Sequence, residues 1–281
     1  MTRVATVSAP FDRELEADFA RITALVAEAR ERGAELLALP EAALGGYVSD
    51  LGGSAAPPPA FALDGPEVRR LAALAGDLVV TAGFCEQGPE GRRYNAAVCV
   101  TGDGVLGSYR KVHQPLREDL TYASGDRFEA FDTPVGRIGM QICWDKGFPE
   151  AARLLALDGA RLIVSMSAWP ISATNAHPDP AQDRWTRRFD LFDRARALEN
   201  QVFWVASNQY GTFGSLRFCA NAKVVDPGGE VVAATGQTES MAVADVDLLD
   251  EIDAHRAGMG NLRDRCPDLY GALTAPAFQS V

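Results

Sequence analysis

Cys85, Cys99, Cys143, Cys219 and Cys266 are the residues best suited to covalent chemistry in this chain. A thiol attacks carbonyl-type carbon as the thiolate, so it needs a proton acceptor and a source of positive charge nearby. Cys99 lies in the apolar run AAVCV and reads as core, as does Cys85 at the end of a strand. Cys266, in RCPDLY, reads as a tail residue. Cys143 stands apart because it ends the run Ile138-Gly139-Met140-Gln141-Ile142. The polar segment Trp144-Asp145-Lys146-Gly147 follows it, and then a helix opened by Pro149-Glu150. A strand end turning towards a helix holds a side chain at the sheet edge, where backbone N–H groups can face a developing oxyanion. The same position also suits an inert buried thiol.

Two more reactive residues sit at strand ends. Glu41 follows the apolar run of LALPEAALGGY, and Lys111 lies in SYRKVHQP just past a strand. Taken singly, Glu41 reads more simply as an exposed strand-end carboxylate and Lys111 as a solvated loop lysine. A carboxylate, an ammonium and a thiol at three strand ends together form the layout of a site built above a sheet.

The elements that must position them follow from hydrophobic spacing. Residues 3–8 (RVATVS) predict a buried strand. Residues 13–32 predict a helix with Asp12 as its N-cap and Leu15, Phe19, Ile22, Leu25 and Val26 along one face. ELLALP (35–40) is the next strand, and GGSAAPPPA (52–60) is a loop. Pro66 opens a helix over 66–75. Strands are expected at 78–85, 93–101, 105–109 and 137–142, a helix at 149–158, and a strand at 162–168. Helix 182–199 follows, then strands at 202–208, near 218–235 around Asp226-Pro227-Gly228-Gly229, and at 241–247. This alternation specifies a layered α/β domain over 1–281, with an irregular C-terminal tail from about 260 to 281.

Composition narrows the function. The 281 residues are 47% hydrophobic, enough for a large core, and carry a net charge of −11. Such an acidic surface repels phosphate backbones and anionic lipids, so nucleic acid and membrane partners are not expected. An odd number of widely spaced cysteines without a CxxC signals neither a disulfide framework nor a zinc site, and fits a reduced, cytoplasmic setting. MTRVATVSAP lacks the apolar core of a secretory leader, and no segment reaches ~20 uninterrupted apolar residues.

The segments LALPEAALGGY, YRKVHQPLRED and MQICWDKGFPEAARLLALDGARLIV resemble, in order, the three signature blocks of the nitrilase superfamily of carbon–nitrogen hydrolases. The likeness extends to SAWP (167–170), RARALENQVFWVASNQYG (194–211) and AKVVDPGG (222–229). The resemblance implies a four-layer αββα sandwich and a homodimer or larger homo-oligomer. It implies a catalytic triad of Glu41, Lys111 and Cys143, and no metal or cofactor. Glu118, seven residues before Gly125, matches the second glutamate of many members, with Asp119 as the nearby alternative. On this pattern Glu41 serves as proton carrier, Lys111 and the Trp144 N–H stabilise the oxyanion, and Cys143 forms a thioester. Trp169, Tyr47, Asn208 and Tyr210 are candidate pocket residues, Trp169 being equally a core residue. The substrate is expected to be a small amide or N-carbamoyl compound. Nitriles are the alternative, although true nitrilases typically carry Trp-Glu after the cysteine where this chain has Trp144-Asp145. A non-catalytic binding or scaffold protein is a further reading, which the intact triad opposes.

Other signals lead elsewhere and are weaker. Gly102-Asp103-Gly104-Val105-Leu106-Gly107 matches GxGxxG, but a strand follows it where a dinucleotide site needs a helix. Asp103-Gly104 instead marks a hairpin. His113, His177 and His255 form no metal motif, and GxSxG is absent. His113 is expected to be supporting structure. The arginines of helix 182–199, interleaved with acids, read as a solvated salt-bridged face or, less simply, as holders of a substrate carboxylate.

Overall fold

The computed structural model describes residues 1–50 and 56–274. Part of the loop expected over 52–60, and the tail beyond 274, lie outside the described residues. The strands are β1 (Thr2–Ala9), β2 (Leu36–Ala38), β3 (Val79–Gln87), β4 (Arg93–Thr101), β5 (Gly104–Arg110), β6 (Phe131–Thr133) and β7 (Gly136–Ile142). They continue as β8 (Leu162–Ser167), β9 (Phe203–Gln209), β10 (Thr212–Phe213), β11 (Leu216–Arg217), β12 (Lys223–Val225), β13 (Val231–Ala234) and β14 (Ser240–Val246). The helices are α1 (Leu15–Glu31), α2 (Pro66–Ala75), α3 (Pro149–Leu157), α4 (Arg184–Asn200) and α5 (Asp250–Gly258).

Twelve strands form one mixed sheet along the path β5-β4-β3-β2-β1-β9-β8-β7-β6, with β14 on β1 and β12-β13 on β9. β1 pairs with β14 over most of its length and meets β9 only at Ser8–Asn208 and Ala9–Gln209. That corner splits the sheet into two six-stranded halves, and β3 and β4 of one half pack on β8 and β7 of the other.

Side-chain alternation builds the layers. Val4, Leu36, Ala38, Val79, Ala97 and Cys99 turn inward and share a core with Ile138, Met140 and Val164 of the second half. Their neighbours Ala5, Val7, Leu37, Val80 and Val98 turn outward onto Phe19, Ile22 and Val26 of α1 and Leu71 of α2. On the opposite outer face, Leu155 of α3 and Phe189 and Ala197 of α4 cover β7–β9. The result is the expected four-layer αββα sandwich. Thr6 crosses the interior seam, its Oγ1 donating to Ala206 O at 2.8 Å.

Local differences from the sequence reading have physical causes. α1 begins at Leu15 with Glu14 at its N-cap. Asp12 is therefore not the cap; its Oδ1 accepts from Glu14 N at 2.7 Å in a turn one step earlier. α4 begins at Arg184, because 180–182 form a separate 3₁₀ turn and Asp183 caps the helix. The region near 218–235 splits into β12 and β13 behind the small β10–β11 hairpin, and β6 is an additional short strand.

Asp183 ties this region together. Its Oδ1 accepts from Trp185 N at 2.9 Å and from Ser172 N and Oγ at 3.0 Å, and its Oδ2 accepts from His177 N at 3.2 Å. Asp183→Ala removes a helix cap and leaves buried donors unpaired, so it is expected to cost about 2 kcal/mol. Urea unfolding checks this as a lower midpoint at unchanged slope; an unmoved midpoint refutes the assignment.

Candidate active site

Glu41 leaves the end of β2 in a tight turn whose next residue, Ala42, has φ 58°. The turn lies against β3 at Gly83, where a Cβ would fall 2.4 Å from Ala42 N and 2.6 Å from Glu41 Cα. Only glycine permits that approach. The Glu41 carboxylate is fully buried and fully engaged. Oε1 accepts from Asn95 Nδ2 at 2.6 Å and Lys111 Nζ at 3.0 Å, and Oε2 accepts from Ala168 N at 2.5 Å. Gln209 Nε2 donates to the Glu41 carbonyl at 2.9 Å, which fixes the backbone as well.

Lys111 follows β5, anchored by its N–H to Asn95 O at 2.8 Å. Its ammonium is buried and also donates to Glu118 Oε1 at 2.9 Å and Oε2 at 2.8 Å. Glu118 stands in a 3₁₀ turn, and the Tyr47 hydroxyl donates to its Oε1. One ammonium is thus shared by two carboxylates away from solvent. Burial, then the negative charges of Glu41 and Asp145, push the Glu118 carboxyl well above its usual range. Asp119, the alternative to Glu118, is exposed.

Cys143 is the first residue of the 3₁₀ turn Cys143–Gly147 after β7, and its φ is 50°. A left-handed backbone in a non-glycine residue costs about 1–3 kcal/mol and persists only where neighbours impose it. Asp145 imposes it here. Its Oδ2 accepts from Ile142 N at 3.1 Å and Tyr109 OH at 2.6 Å, and its Oδ1 accepts from His113 N at 3.0 Å and pairs with His113 Nδ1 at 2.8 Å. His113 stacks on Phe148 at 3.6 Å, so it supports the turn, as expected. Burial and the negative charge of Glu41 push the Cys143 thiol well up, while Lys111 and Lys146 act the other way. The sulfur is thus within electrostatic reach of the cluster.

The family model for carbon-nitrogen hydrolases matches residues 3–256. The chain belongs to the carbon-nitrogen hydrolase family. Among its relatives, a probable nitrilase of Schizosaccharomyces pombe is 34% identical over 247 residues, covering 86% of each chain. An N-carbamoylputrescine amidase of Solanum tuberosum is 36% identical over 225 residues, covering 74% of this chain and 73% of that one. The crystal structure of a carbon-nitrogen hydrolase from Helicobacter pylori G27 superposes with a TM-score of 0.85 at 25% identity, covering 98% of both chains. This carbon-nitrogen hydrolase cleaves C–N bonds, and its cysteine turn stands where the family's architecture puts it.

The other expected site residues fall in different surroundings. Trp144 is partly buried, with ring centroids 5.7 Å from Trp169 and 6.4 Å from Trp185. Trp169 is buried in that aromatic group, and its Nε1 donates to Trp185 O at 3.0 Å. The Asn208 amide bonds backbone on both sides, accepting from Trp169 N at 2.8 Å and donating to Ala220 O at 2.8 Å. It thereby holds the 168–169 turn whose N–H reaches Glu41. Tyr210 is partly buried beside that strand end. Among the described residues no group of three or more His, Cys, Asp or Glu is placed to hold a metal, and no helix is long and apolar enough to cross a membrane.

A second buried charge cluster lies behind the cysteine turn and escaped the sequence reading. Asp193 Oδ1 accepts from Lys146 Nζ at 2.5 Å and Trp204 Nε1 at 2.8 Å, and Oδ2 accepts from Lys223 Nζ at 3.0 Å. Both ammonium groups also lie over the Phe189 ring, at 3.7 and 4.2 Å. Arg196 Nε donates to Lys146 O at 2.8 Å. Helix α4 is therefore not uniformly a solvated salt-bridged face, because Asp193 and Arg196 point into the core. The only sequence signal was their placement three residues apart, with Ala197, on one helical stripe.

Asp193→Ala would leave the buried Lys146 ammonium without its carboxylate and Lys223 with only Asp190 at 3.9 Å, and a loss of about 3–5 kcal/mol is expected. Replacing Lys146 and Lys223 by Met in the same protein is expected to recover most of that loss. Thermal and urea unfolding of both variants checks this; a single variant as stable as the parent refutes it.

Proposed function

We propose that this hydrolase acts on a small amide or N-carbamoyl compound, with Cys143 as nucleophile, Glu41 as proton carrier and Lys111 as oxyanion partner. The observation that carries this reading is the buried Lys111 ammonium held between Glu41 and Glu118, groups whose charges act on the Cys143 thiol. In the first step the Glu41 carboxylate takes the Sγ proton as sulfur bonds to the carbonyl carbon, and the carbonyl electron pair moves to oxygen. Lys111 and the Trp144 N–H stabilise that oxygen. Glu41 returns the proton to nitrogen as the C–N bond breaks, releasing ammonia and leaving a thioester on Cys143. Water then attacks, Glu41 takes its proton, and the acid and the thiol are regenerated.

Glu118 accepts from the Lys111 ammonium and Tyr47 donates to Glu118, which supports a positioning role for both. The amidase relative and the Trp144-Asp145 pair favour amides and carbamoyl compounds over nitriles. The free thiols among the described residues support a reducing, cytoplasmic setting. Exposed apolar residues on α3 and α4 (Leu154, Leu157, Leu191 and Leu198) and near the C-terminus (Leu269 and Leu273) support a homodimer or larger homo-oligomer.

Ammonia release from a panel of amides, ureido compounds and nitriles, with intact-mass spectrometry of the protein, tests the chemistry. Cys143→Ala is expected to abolish release and the acyl mass shift. Glu41→Gln is expected to lower kcat about 10²–10⁴-fold. Ammonia release persisting in Cys143→Ala refutes the nucleophile assignment. Gel filtration is expected to show at least twice the single-chain mass, and elution as one chain refutes the oligomer.

A further inference from the structure

Glu41, Lys111 and Cys143 account for bond cleavage but not for which compound enters. A cavity of about 730 Å³ is walled by residues that neighbour the site residues in sequence. Leu116 and Arg117 on its wall directly precede Glu118, and Pro170 and Ile171 directly follow the 168–169 turn that binds Glu41. Trp185, also on the wall, packs 6.4 Å from Trp144, the residue after Cys143.

The charge of this cavity opposes that of the whole protein. The chain carries −11, yet Arg117, Arg184 and Arg217 line the cavity and Asp50 is the one carboxylate among its described wall residues. All three arginines are exposed. Arg184 is nevertheless fixed in place. Its Nε donates to Ser172 Oγ at 3.0 Å and its Nη2 to Thr174 O at 3.1 Å, both neutral acceptors. Asp183, behind the wall, is engaged by Ser172, His177 and Trp185. Guanidinium groups that outnumber the carboxylates in a concave, partly apolar site are the chemistry that recognises a carboxylate. Leu116, Ile171 and Trp185 between them suit a short aliphatic chain.

We propose that the substrate is an amide or N-carbamoyl compound carrying a carboxylate at the end remote from the scissile bond, bound by Arg117, Arg184 and Arg217. This rests on the amidase or carbamoylase reading above and names its substrate class. A neutral analogue leaves the guanidinium groups hydrated, and a cationic one is repelled.

The test compares kcat/KM for glutaramate, valeramide and δ-aminovaleramide, which share a chain length and differ in end charge. N-carbamoyl-β-alanine against propylurea is the ureido arm. The carboxylate compound of the better-accepted type is expected to exceed its neutral partner by at least about tenfold, the worth of one charge-assisted hydrogen bond. The gain is expected mainly in KM, since the contact is the same in ground and transition states. It is expected to shrink as salt is raised, and the cationic amide is expected to rank last. In a variant combining Arg117→Gln, Arg184→Gln and Arg217→Gln, the anion-to-neutral ratio is expected to fall towards one. Tryptophan fluorescence of Cys143→Ala, titrated with glutaramate and valeramide, reads the same selectivity without turnover. Neutral compounds accepted as well as anionic ones, a ratio unmoved by the arginine changes, or equal affinities in the titration each overturn the proposal. Failure of the underlying reading looks different: no compound of any charge releases ammonia.

Discussion

One ammonium held between two carboxylates, with water excluded, is the constraint around which this structure is arranged. The desolvation of Lys111, Glu41 and Glu118 is offset only if every charged atom finds a partner at bonding distance. The partners come from far apart in sequence: the Asn95 amide from β4, the Ala168 N–H from the end of β8, and the Tyr47 hydroxyl from the loop after β2. Satisfying one buried group therefore brings strand ends from both halves of the sheet to a single point. The αββα layering makes this possible, because packing two sheets face to face places those ends side by side.

Cys143 feels two charge clusters that lean in opposite directions. On one side two carboxylates share one ammonium, and on the other two ammonium groups share the Asp193 carboxylate. Burial penalises both surpluses. It pushes Glu118 well up towards the protonated form, and it lowers Lys146, an effect that Lys223 reinforces. Each cluster thus relaxes towards neutrality. Cys143 shares this field, its thiolate disfavoured by Glu41 and favoured by Lys111 and Lys146.

Much of this was legible in the chain. Short apolar, β-branched runs at β1, β3, β4 and β7, and the polar residues Glu41, Lys111 and Cys143 at strand ends, are local signals, and they carried the layered fold and the candidate site. What was not legible depends on geometry that no window of sequence contains. Asp193 looks like any acid on an arginine-rich helix until α4 is laid against β9 and β12. Asp12 looks like a helix cap, but the chain turns once more before α1 begins. Tyr47 was a pocket candidate whose hydroxyl donates to the Glu118 carboxylate. Asn208, another, has its amide hydrogen-bonded to backbone groups.

The strained backbone at Cys143 shows how support and chemistry are joined. A left-handed φ at a non-glycine residue persists only where neighbouring bonds over-determine it. Asp145 supplies four: to its own strand end, to Tyr109, and twice to His113. Tyr109 and His113 flank Lys111, so the side chains that fix the cysteine turn come from the same stretch that carries the ammonium. Any shift of that stretch moves both groups together and preserves their relative placement. A carboxylate one methylene longer at position 145 would reach past these donors. Aspartate rather than glutamate after Trp144 is thus a consequence of how closely the lysine segment packs on the cysteine turn.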